Sequence, residues 1–266
     1  MRQILVLAAV PPIRLQTLRA GIGDQCEFVP VSQWAEVVDT IRHRPVEMAV
    51  VDPLVSGQSR AHEIERLRIL FPSLPLLVYT SLSPEAAGVL LALGRIGIRK
   101  VIFARFDDSP GGLRAAFREE WARTASQQVL QMLAGVLEGL PEQLRWALES
   151  TLHAPFDAPT VSDLAQKAQL GRRTCERWFA RSGLPSPKMV LVLARLLYAH
   201  RLLLDPGYTV EDVALKLGYS KARTLQLHLK EVFGLTAGEL RLSLSPEEAL
   251  DRVISRYFPD LRRVAS

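Results

Sequence analysis

A short sequence pattern occurs twice in the last third of the chain. Residues 160–165 read TVSDLA and residues 209–214 read TVEDVA, which is an offset of 49. Further matches follow at offsets of 50 and 51: Arg173 with Arg223, Phe179 with Leu229, and Gly183 with Gly234. An internal repeat of this kind indicates two copies of one supersecondary unit.

Each copy has the pattern of two helices joined by a tight turn. In the first copy we predict a helix over Val161–Ala168 with Ser162 as its N-cap, and a second helix over 172–182. Residues 169–171 form the turn between them. The small side chain of Ala165 lets the two helices pack closely. The first copy is therefore predicted to be a helix-turn-helix unit.

The second copy follows the same plan, and a long helix joins the two. We predict helices over 210–217 and 221–233 in the second copy. The joining helix begins at Pro187, after Ser186, and ends near Leu204. At 1.5 Å per residue it is a rod of roughly 25 Å. Such a rod can hold two recognition helices about one turn of DNA apart, roughly 34 Å.

The second helix of each copy exposes side chains that suit DNA. Arginine can bind guanine through two hydrogen bonds or clamp phosphates, and residues four apart share one helix face. The candidate DNA-binding residues are Arg172, Arg173, Glu176, Arg177 and Arg181 in the first copy, and Lys221, Arg223, Thr224 and Gln226 in the second. The alternative is that these side chains form an ordinary solvated basic face.

The charge distribution agrees with a polyanionic partner for the back half. Residues 1–159 contain 16 Lys and Arg against 17 Asp and Glu, a net charge of −1. Residues 160–266 contain 17 against 11, a net charge of +6. The basic half of the chain is therefore the half that we expect to bind nucleic acid.

The back half also contains a long series of motifs: Leu164-Ala165, Arg177-x-Phe179, Gly183-Leu184-x-Ser186-Pro187, Arg195-Leu196-x3-His200-x-Leu202-Leu203, Val210-x2-Val213-Ala214, Gly218-Tyr219-Ser220 and Lys230-x2-Phe233-Gly234. On these motifs, residues 160–242 resemble the DNA-binding domain of the AraC/XylS family of transcription regulators. The resemblance implies promoter binding and contact with RNA polymerase. It places the DNA-contacting positions at Arg172, Arg173 and Arg177, and at Ala222, Arg223 and Gln226.

The second copy departs from the family pattern at several positions. The family often has Arg where this chain has Leu227, and an aromatic residue where it has Leu225 or Leu229. It has Pro where this chain has Gly238. We therefore expect the first copy to read bases more strongly than the second. A protein–protein interaction module whose DNA binding has decayed is the alternative function.

Residues 1–124 alternate short apolar runs with helical patterns. The predicted strands are 4–9, 27–31, 48–52, 76–80 and 100–104, and the predicted helices are 16–21, 34–42, 62–70, 84–93 and 113–124. Five such units imply a parallel sheet covered on both faces. The pattern resembles the receiver domain of response regulators, which implies a flavodoxin-like, doubly wound α/β fold.

Residues 1–124 lack some of the residues that phosphorylation of a receiver domain requires. Asp52 and Thr80 occupy the positions of the phosphoryl acceptor and the switch residue, with Arg105 near the place of the receiver lysine. Phosphoryl transfer also needs a pair of carboxylates to hold a metal ion, and Ala8 and Ala9 stand there instead.

We therefore expect a pseudo-receiver with no metal, no other cofactor and no enzymatic activity. It would act through dimerisation, docking on a protein, or a small ligand at the ends of the strands. A conventional phosphorylated response regulator is the alternative.

The remaining segments complete the predicted organisation. Residues 125–158 form two helices and a linker, and their leucine and valine stripe can serve as a dimer seam. Residues 159–243 are the DNA-binding domain, and residues 244–266 form a C-terminal helix that starts with a capping box at Ser245. We interpret the apolar start of the chain as a strand rather than a signal peptide. Cys26 and Cys175 are expected to be free thiols in the cytoplasm.

Overall fold

The computed structural model describes residues 3–55, 57–152 and 159–258. The chain forms two compact units. The first comprises the residues up to Thr124 together with Asp205–Tyr208, and the second comprises 125–204 and the residues from Thr209 onward. Within the first unit, the carboxylate of Asp205 accepts hydrogen bonds from the backbone nitrogen and the hydroxyl of Ser73, at 3.0 and 2.5 Å.

The first unit contains a five-stranded parallel sheet. In chain order the strands are β1 (Ile4–Ala9), β2 (Cys26–Pro30), β3 (Met48–Val51), β4 (Leu54–Val55), β5 (Gln58–Ser59), β6 (Leu76–Thr80) and β7 (Lys100–Phe103). The sheet order is β2-β1-β3-β6-β7, with β4 and β5 forming a separate antiparallel pair after β3. This order is that of a doubly wound, flavodoxin-like sheet, so the predicted fold class is confirmed.

Four α-helices connect the strands of this sheet, and a fifth follows the last strand. They are α1 (Pro12–Ile22), α2 (Val37–His43), α3 (Ala61–Leu70), α4 (Pro84–Arg95) and α5 (Pro110–Trp121), and a 3₁₀ turn at Trp34–Glu36 precedes α2. Two helices begin earlier than predicted because proline starts them: α1 begins at Pro12, and α5 begins at Pro110. The hydroxyl of Ser109 caps α5 by accepting from Gly112 N at 3.2 Å.

The apolar strands form the core of the first unit. Val6, Val50 and Leu77 on three neighbouring strands are fully buried. On the faces of the sheet, Phe28 meets Phe117 of α5 edge to face with ring centroids 6.3 Å apart. Cys26 and Cys175 are buried, and both are free thiols, as predicted. Burial raises the pKa of the Cys26 thiol to about 12, and the nearby charge of Asp24 acts in the same direction.

The second unit is helical. Its helices are α6 (Ala125–Leu137), α7 (Glu142–Leu152), α8 (Val161–Lys167), α9 (Arg172–Arg181), α10 (Pro187–Leu203), α11 (Val210–Lys216), α12 (Ala222–Phe233), α13 (Ala237–Ser243) and α14 (Pro246–Tyr257). The joining helix α10 has 17 residues, close to the predicted length, and most of its side chains are buried. The short helix α13 was not predicted. Residues 153–158, part of the predicted linker, lie outside the described residues.

The helices α6 and α7 pack inside the second unit. Helix α6 contacts α10, and α7 contacts α8. Leu133 and Leu137 of the predicted dimer stripe are fully buried there. These two residues of the stripe are therefore covered in the folded chain. None of the helices in the described parts of the chain is long and apolar enough to cross a membrane.

Capping boxes start the first helix of each repeat. Thr160 Oγ1 accepts from Asp163 N at 3.3 Å, and the Asp163 carboxylate accepts from Thr160 N at 2.8 Å. Thr209 and Asp212 repeat this exchange at α11. The N-cap is thus Thr160, and the prediction of Ser162 is wrong, because the carboxylate that completes the box lies three residues after Thr160.

Candidate nucleic-acid interface and receiver-like pocket

Helix α9 presents a basic face to solvent. Gly171 occupies the N-cap position, and Cys175 and Phe179 are fully buried beneath the helix. Trp178 is half-buried. The predicted residues Arg172, Arg173, Glu176, Arg177 and Arg181 are all exposed. The sequence prediction of an exposed arginine-rich face therefore agrees with the structure.

The charged residues of α9 differ in the contacts they make. Arg172 Nε donates to Glu176 Oε1 at 3.0 Å, so these two charges face each other along the helix. The guanidinium of Arg181 lies over the ring of Trp178, with its central carbon 5.8 Å from the ring centroid. Among the described residues, Arg173 and Arg177 have no ion-pair partner. These two arginines are exposed and make neither the ion pair described for Arg172 nor the ring contact described for Arg181.

Helix α12 presents a less basic face to solvent than α9 does. Lys221 is its N-cap residue, and Lys221, Arg223 and Gln226 are exposed while Thr224 is half-buried. Leu225 and Leu229 are fully buried, so two of the departures from the family pattern are core positions. Another departure, Leu227, is 57% exposed and lies four residues after Arg223. An apolar side chain therefore occupies part of the exposed face.

The turns of the two helix-turn-helix copies have the same backbone geometry. The residue that starts each turn has a left-handed conformation: Gln169 with φ 51° and Gly218 with φ 68°. Leu170 N donates to Ala165 O at 2.9 Å, and Tyr219 N donates to Ala214 O at 2.9 Å. The repeat in the sequence is therefore a repeat in three dimensions.

Arg195 of α10 contacts the turn of the second helix-turn-helix copy. Its guanidinium lies 4.2 Å from the ring centroid of Tyr219 and donates a hydrogen bond to Leu217 O. Burial lowers the pKa of Arg195, and it raises the pKa of Tyr219. Tyr219 Oη in turn lies 3.2 Å from His228 Nδ1 on α12. Sequence reasoning identified Arg195 as part of a motif but not its role.

Two arginines of α14 close the C-terminal end of α12. Arg252 Nη1 donates to Phe233 O at 2.7 Å. Arg256 Nη1 donates to Glu231 O at 2.9 Å and to Val232 O at 3.2 Å. These carbonyls have no partner within the helix, so the arginines satisfy them and oppose the negative end of the helix dipole.

The receiver-like pocket (Asp52, Thr80 and Arg105) is only partly assembled as predicted. Asp52 and Thr80 are each 1% exposed, at the ends of neighbouring strands β3 and β6. Arg105 is exposed, has a left-handed φ of 71°, and donates its backbone nitrogen to Asp108 Oδ1 at 2.9 Å. In the described structure, its guanidinium makes no ion pair with Asp52.

The cation that binds Asp52 is Arg14, which sequence reasoning missed. Arg14 NH1 donates to Asp52 Oδ2, and Leu54 N donates to Asp52 Oδ1 at 3.0 Å. Arg14 also donates to Tyr79 O at 3.0 Å and to Ser81 Oγ at 2.7 Å. The signal was available: in a doubly wound fold, the first turn of the helix after β1 lies at the carboxyl ends of the strands.

A second hydrogen bond lies beside this pair. Tyr79 Oη donates to Asp108 Oδ2 at 2.7 Å. Burial, together with this bond and the charge of Asp108, raises the pKa of Tyr79 to about 12. Burial alone would raise the pKa of Asp108, but hydrogen bonds from Tyr79 and from the Arg105 backbone lower it on balance. Ala8 and Ala9 are buried at the end of β1, where a receiver has its metal-binding carboxylates.

Comparisons with known proteins identify the second unit. Residues 164–243 match the family model described as a helix-turn-helix domain, the AraC-type domain. No curated protein matches the chain.

Similar solved structures include three bacterial proteins. A response regulator from Burkholderia pseudomallei with a phosphorylated aspartic acid is 15% identical and has a TM-score of 0.37, over 66% of this chain and 98% of that one. RcsB from Salmonella typhimurium is 14% identical with a TM-score of 0.38, over 87% and 100%. FixJ from B. japonicum is 13% identical with a TM-score of 0.39, over 83% and 100%. Similarities at this level carry no argument, so the fold of the first unit rests on its sheet order.

The helix-turn-helix match and the duplicated geometry of α8–α9 and α11–α12 agree with each other. The second unit therefore contains an AraC-type helix-turn-helix domain, the DNA-binding domain of transcription regulators, and this domain lies C-terminal to a flavodoxin-like domain.

Proposed function

We propose that the chain binds specific DNA sites mainly through α9 and regulates transcription by binding rather than by catalysis. The observation that carries this proposal is the pair Arg173 and Arg177, exposed on one face of α9 inside the helix-turn-helix domain. We also propose that it acts in the cytoplasm, and the proposed DNA partner supports this location. Contact with RNA polymerase follows from the family resemblance and is part of the proposal.

The two recognition helices have unequal roles in this proposal. Arg173 and Arg177 lie four residues apart and face the same side, as bidentate contacts to guanine or paired phosphate contacts require. Arg172 is partly neutralised by Glu176. In α12, Arg223 and Gln226 share the face with the exposed Leu227. We therefore assign base reading to α9, and positioning on the DNA to α12.

The test begins with selection of the genomic fragments that the full chain binds. The double variant Arg173→Ala/Arg177→Ala should then lose about 1–3 kcal/mol per base-contacting arginine on the selected sites. Arg223→Ala/Gln226→Ala should lose less. Lys188→Ala, which removes an exposed charge from the start of α10, is the control. Unchanged specific binding by the α9 double variant would show that α9 is not the reader.

We further propose that the first unit acts without phosphorylation. Asp52 already has a cation, since Arg14 binds one carboxylate oxygen and the Leu54 backbone binds the other. A phosphoryl group on Asp52 would have to displace Arg14, and Ala8 and Ala9 offer no carboxylate for the metal ion that this transfer needs. Dimerisation, docking on a protein, or a small ligand is the mode of control that we propose instead.

Incubation with Mg²⁺ and acetyl phosphate tests this proposal. Intact-mass measurement should show no added phosphoryl group on the full chain. Asp52→Asn is the matched control, because it removes the only acceptor under test while retaining the size of the side chain. A mass increase in the unaltered chain that Asp52→Asn abolishes would establish a conventional response regulator.

One observation favours a second candidate function. Leu227 places an exposed apolar side chain on the face of α12 that would otherwise meet DNA. This favours an interaction module with decayed DNA binding. Affinity for duplex DNA that falls steeply with salt concentration supports the regulator, whereas the absence of salt-dependent DNA binding supports the interaction module.

A further inference from the structure

The first unit includes four residues that come from a distant part of the sequence. The segment Asp205–Tyr208 (the docking segment) lies between α10 and α11 along the chain, and it belongs to the first unit. Three of its residues are buried, with Asp205 1% and Tyr208 2% exposed, while Pro206 is exposed. Connecting segments normally run over the protein surface. A buried one therefore needs specific partners in the unit that holds it.

Hydrogen bonds hold both a side chain and the backbone of the docking segment. The Asp205 carboxylate accepts from Ser73 N at 3.0 Å and from Ser73 Oγ at 2.5 Å. Gly207 N donates to Leu70 O at 2.7 Å. Arg42 Nε, in the last turn of α2, donates to Gly207 O at 2.8 Å. The first unit thus recognises a carboxylate at one position and both polar groups of the backbone at another.

An aromatic contact and a close backbone approach complete the recognition. The ring of Tyr208 lies against the fully buried ring of Phe71, with centroids 4.8 Å apart. A Cβ atom added at Gly207 would lie 2.4 Å from Phe71 Cε1 and 2.7 Å from Leu70 O. Carbon atoms that are not bonded pack best at about 3.5–4.0 Å, so glycine is required here. The docking site consists of Arg42, Leu70, Phe71 and Ser73.

The docking segment leads directly into the second helix-turn-helix copy. Thr209, the next residue, is the N-cap of α11, and its capping box with Asp212 starts that helix. Helix α11 has seven residues. An isolated helix of this length is unstable in water. A fixed Tyr208 therefore holds the N-cap in place, whereas a free Tyr208 allows the first turn of α11 to fray.

We propose that the docking segment binds the docking site reversibly and that docking pre-organises α11 for DNA binding. In the docked state, Tyr208 fixes the start of the first helix of the second copy. In the undocked state, α11 loosens, and DNA binding must order it again at a cost in affinity. The state of the first unit thereby controls the second copy. This consequence rests on the proposed DNA binding, whereas docking itself does not.

Three variants test the docking. Gly207→Ala prevents it, because the added methyl group has no room in the docking site, while Gly207 has no left-handed φ that alanine would strain. Ser73→Ala weakens docking from the other side, because it removes one donor to the buried carboxylate of Asp205. Gly88→Ala in α4 is the matched control, since a Cβ added there meets nothing within 4 Å.

Amide hydrogen exchange of the full chain without DNA measures the docking. Ser73→Ala should accelerate exchange at α11 about tenfold. Gly207→Ala should accelerate it further, and it should also do so at the amide of Ser73, which donates to Asp205. Exchange at β3, β6 and α9 should not change, which shows that both variants remain folded. Gly88→Ala should leave exchange at α11 unchanged.

The double variant separates docking from unrelated local effects. Gly207→Ala already prevents docking, so adding Ser73→Ala should produce no faster exchange at α11 than Gly207→Ala alone. Binding to the selected genomic fragments then measures the consequence for DNA. Gly207→Ala should bind them about three- to tenfold more weakly than the unaltered chain. Gly88→Ala should bind them equally well.

The exchange and DNA-binding measurements have separate contrary outcomes. Docking as the link to α11 is overturned if either Gly207→Ala or Ser73→Ala leaves exchange at α11 unchanged, or if their accelerations simply multiply in the double variant. Equal or tighter DNA binding by Gly207→Ala, together with faster exchange at α11, overturns the pre-organisation. If the unaltered chain binds no specific DNA, the proposed function fails, while the exchange result still decides whether docking holds α11.

Discussion

Replacing Arg14 by methionine should strongly destabilise the first unit. The variant keeps much of the aliphatic volume but removes the guanidinium bound to Asp52, which is 1% exposed. The carboxylate then retains the Leu54 backbone nitrogen as its described donor. The variant also loses the hydrogen bonds from Arg14 to Tyr79 O and Ser81 Oγ. Removing one partner of a buried ion pair typically costs about 3–5 kcal/mol.

The magnitude here should lie near the lower end of that range. The Arg14 side chain is 13% exposed, so water screens part of the interaction, and we expect a loss of about 3 kcal/mol. Asp52→Asn should cost less, about 1–2 kcal/mol. It keeps an acceptor for Leu54 N, and it leaves Arg14 with Tyr79 O and Ser81 Oγ. The double variant buries no unpaired carboxylate, so its loss should be smaller than the sum of the two single losses.

Urea unfolding of the full chain measures these differences. Circular dichroism follows both units. In a background that carries Trp146→Phe and Trp178→Phe, the fluorescence of Trp34 and Trp121 reports on the first unit. Comparing the single and double variants isolates the interaction between the two side chains. If Arg14→Met costs less than about 1 kcal/mol, or if the two losses simply add, the ion pair does not anchor the unit.

Two further predictions concern the second unit. Thr160→Ala removes the cap of α8 and should lower the free energy of unfolding by about 1 kcal/mol, whereas Thr160→Ser keeps the hydroxyl and should cost less; equal losses by urea unfolding would argue against the cap. Burial lowers the pKa of His200 below its usual value of 6.5. The unfolded chain then binds a proton that the folded chain does not, so stability should decrease as the pH falls below 6.5. His200→Phe should lose less stability between about pH 7 and pH 5, and identical pH profiles would contradict the assignment.

The features that were predictable from sequence depend on short-range patterns. Buried parallel strands are continuous apolar runs, so 48–51 and 76–80 were located to within a residue. The repeat located both helix-turn-helix units, because matching positions must perform the same packing. Helix starts were less certain. Ser162 looked like a cap on its own, but the pairing of Thr160 with Asp163 decides the helix start.

The features that were missed depend on contacts between distant parts of the chain. Arg14 and Asp52 are 38 residues apart, and only the folded sheet brings them together. Arg105 follows β7, near the place expected for the receiver lysine, but its left-handed backbone and the hydrogen bond from its backbone nitrogen to Asp108 belong to the turn after the strand. The capping of α12 by Arg252 and Arg256 has the same origin, since no local pattern links residues about 20 positions apart.

That capping has a consequence for the local dynamics of the two recognition helices. The last carbonyls of α12 are bound by side chains of α14, so fraying of this end must also break the contact with α14. At the C-terminal end of α9, the backbone nitrogens of Gly183 and Leu184 donate to carbonyl groups of the last turn. Amide hydrogen exchange should therefore be slower at the end of α12 than at the end of α9. The helix assigned to base reading is then the one that can adjust its last turn on DNA, beside a partner helix that stays rigid.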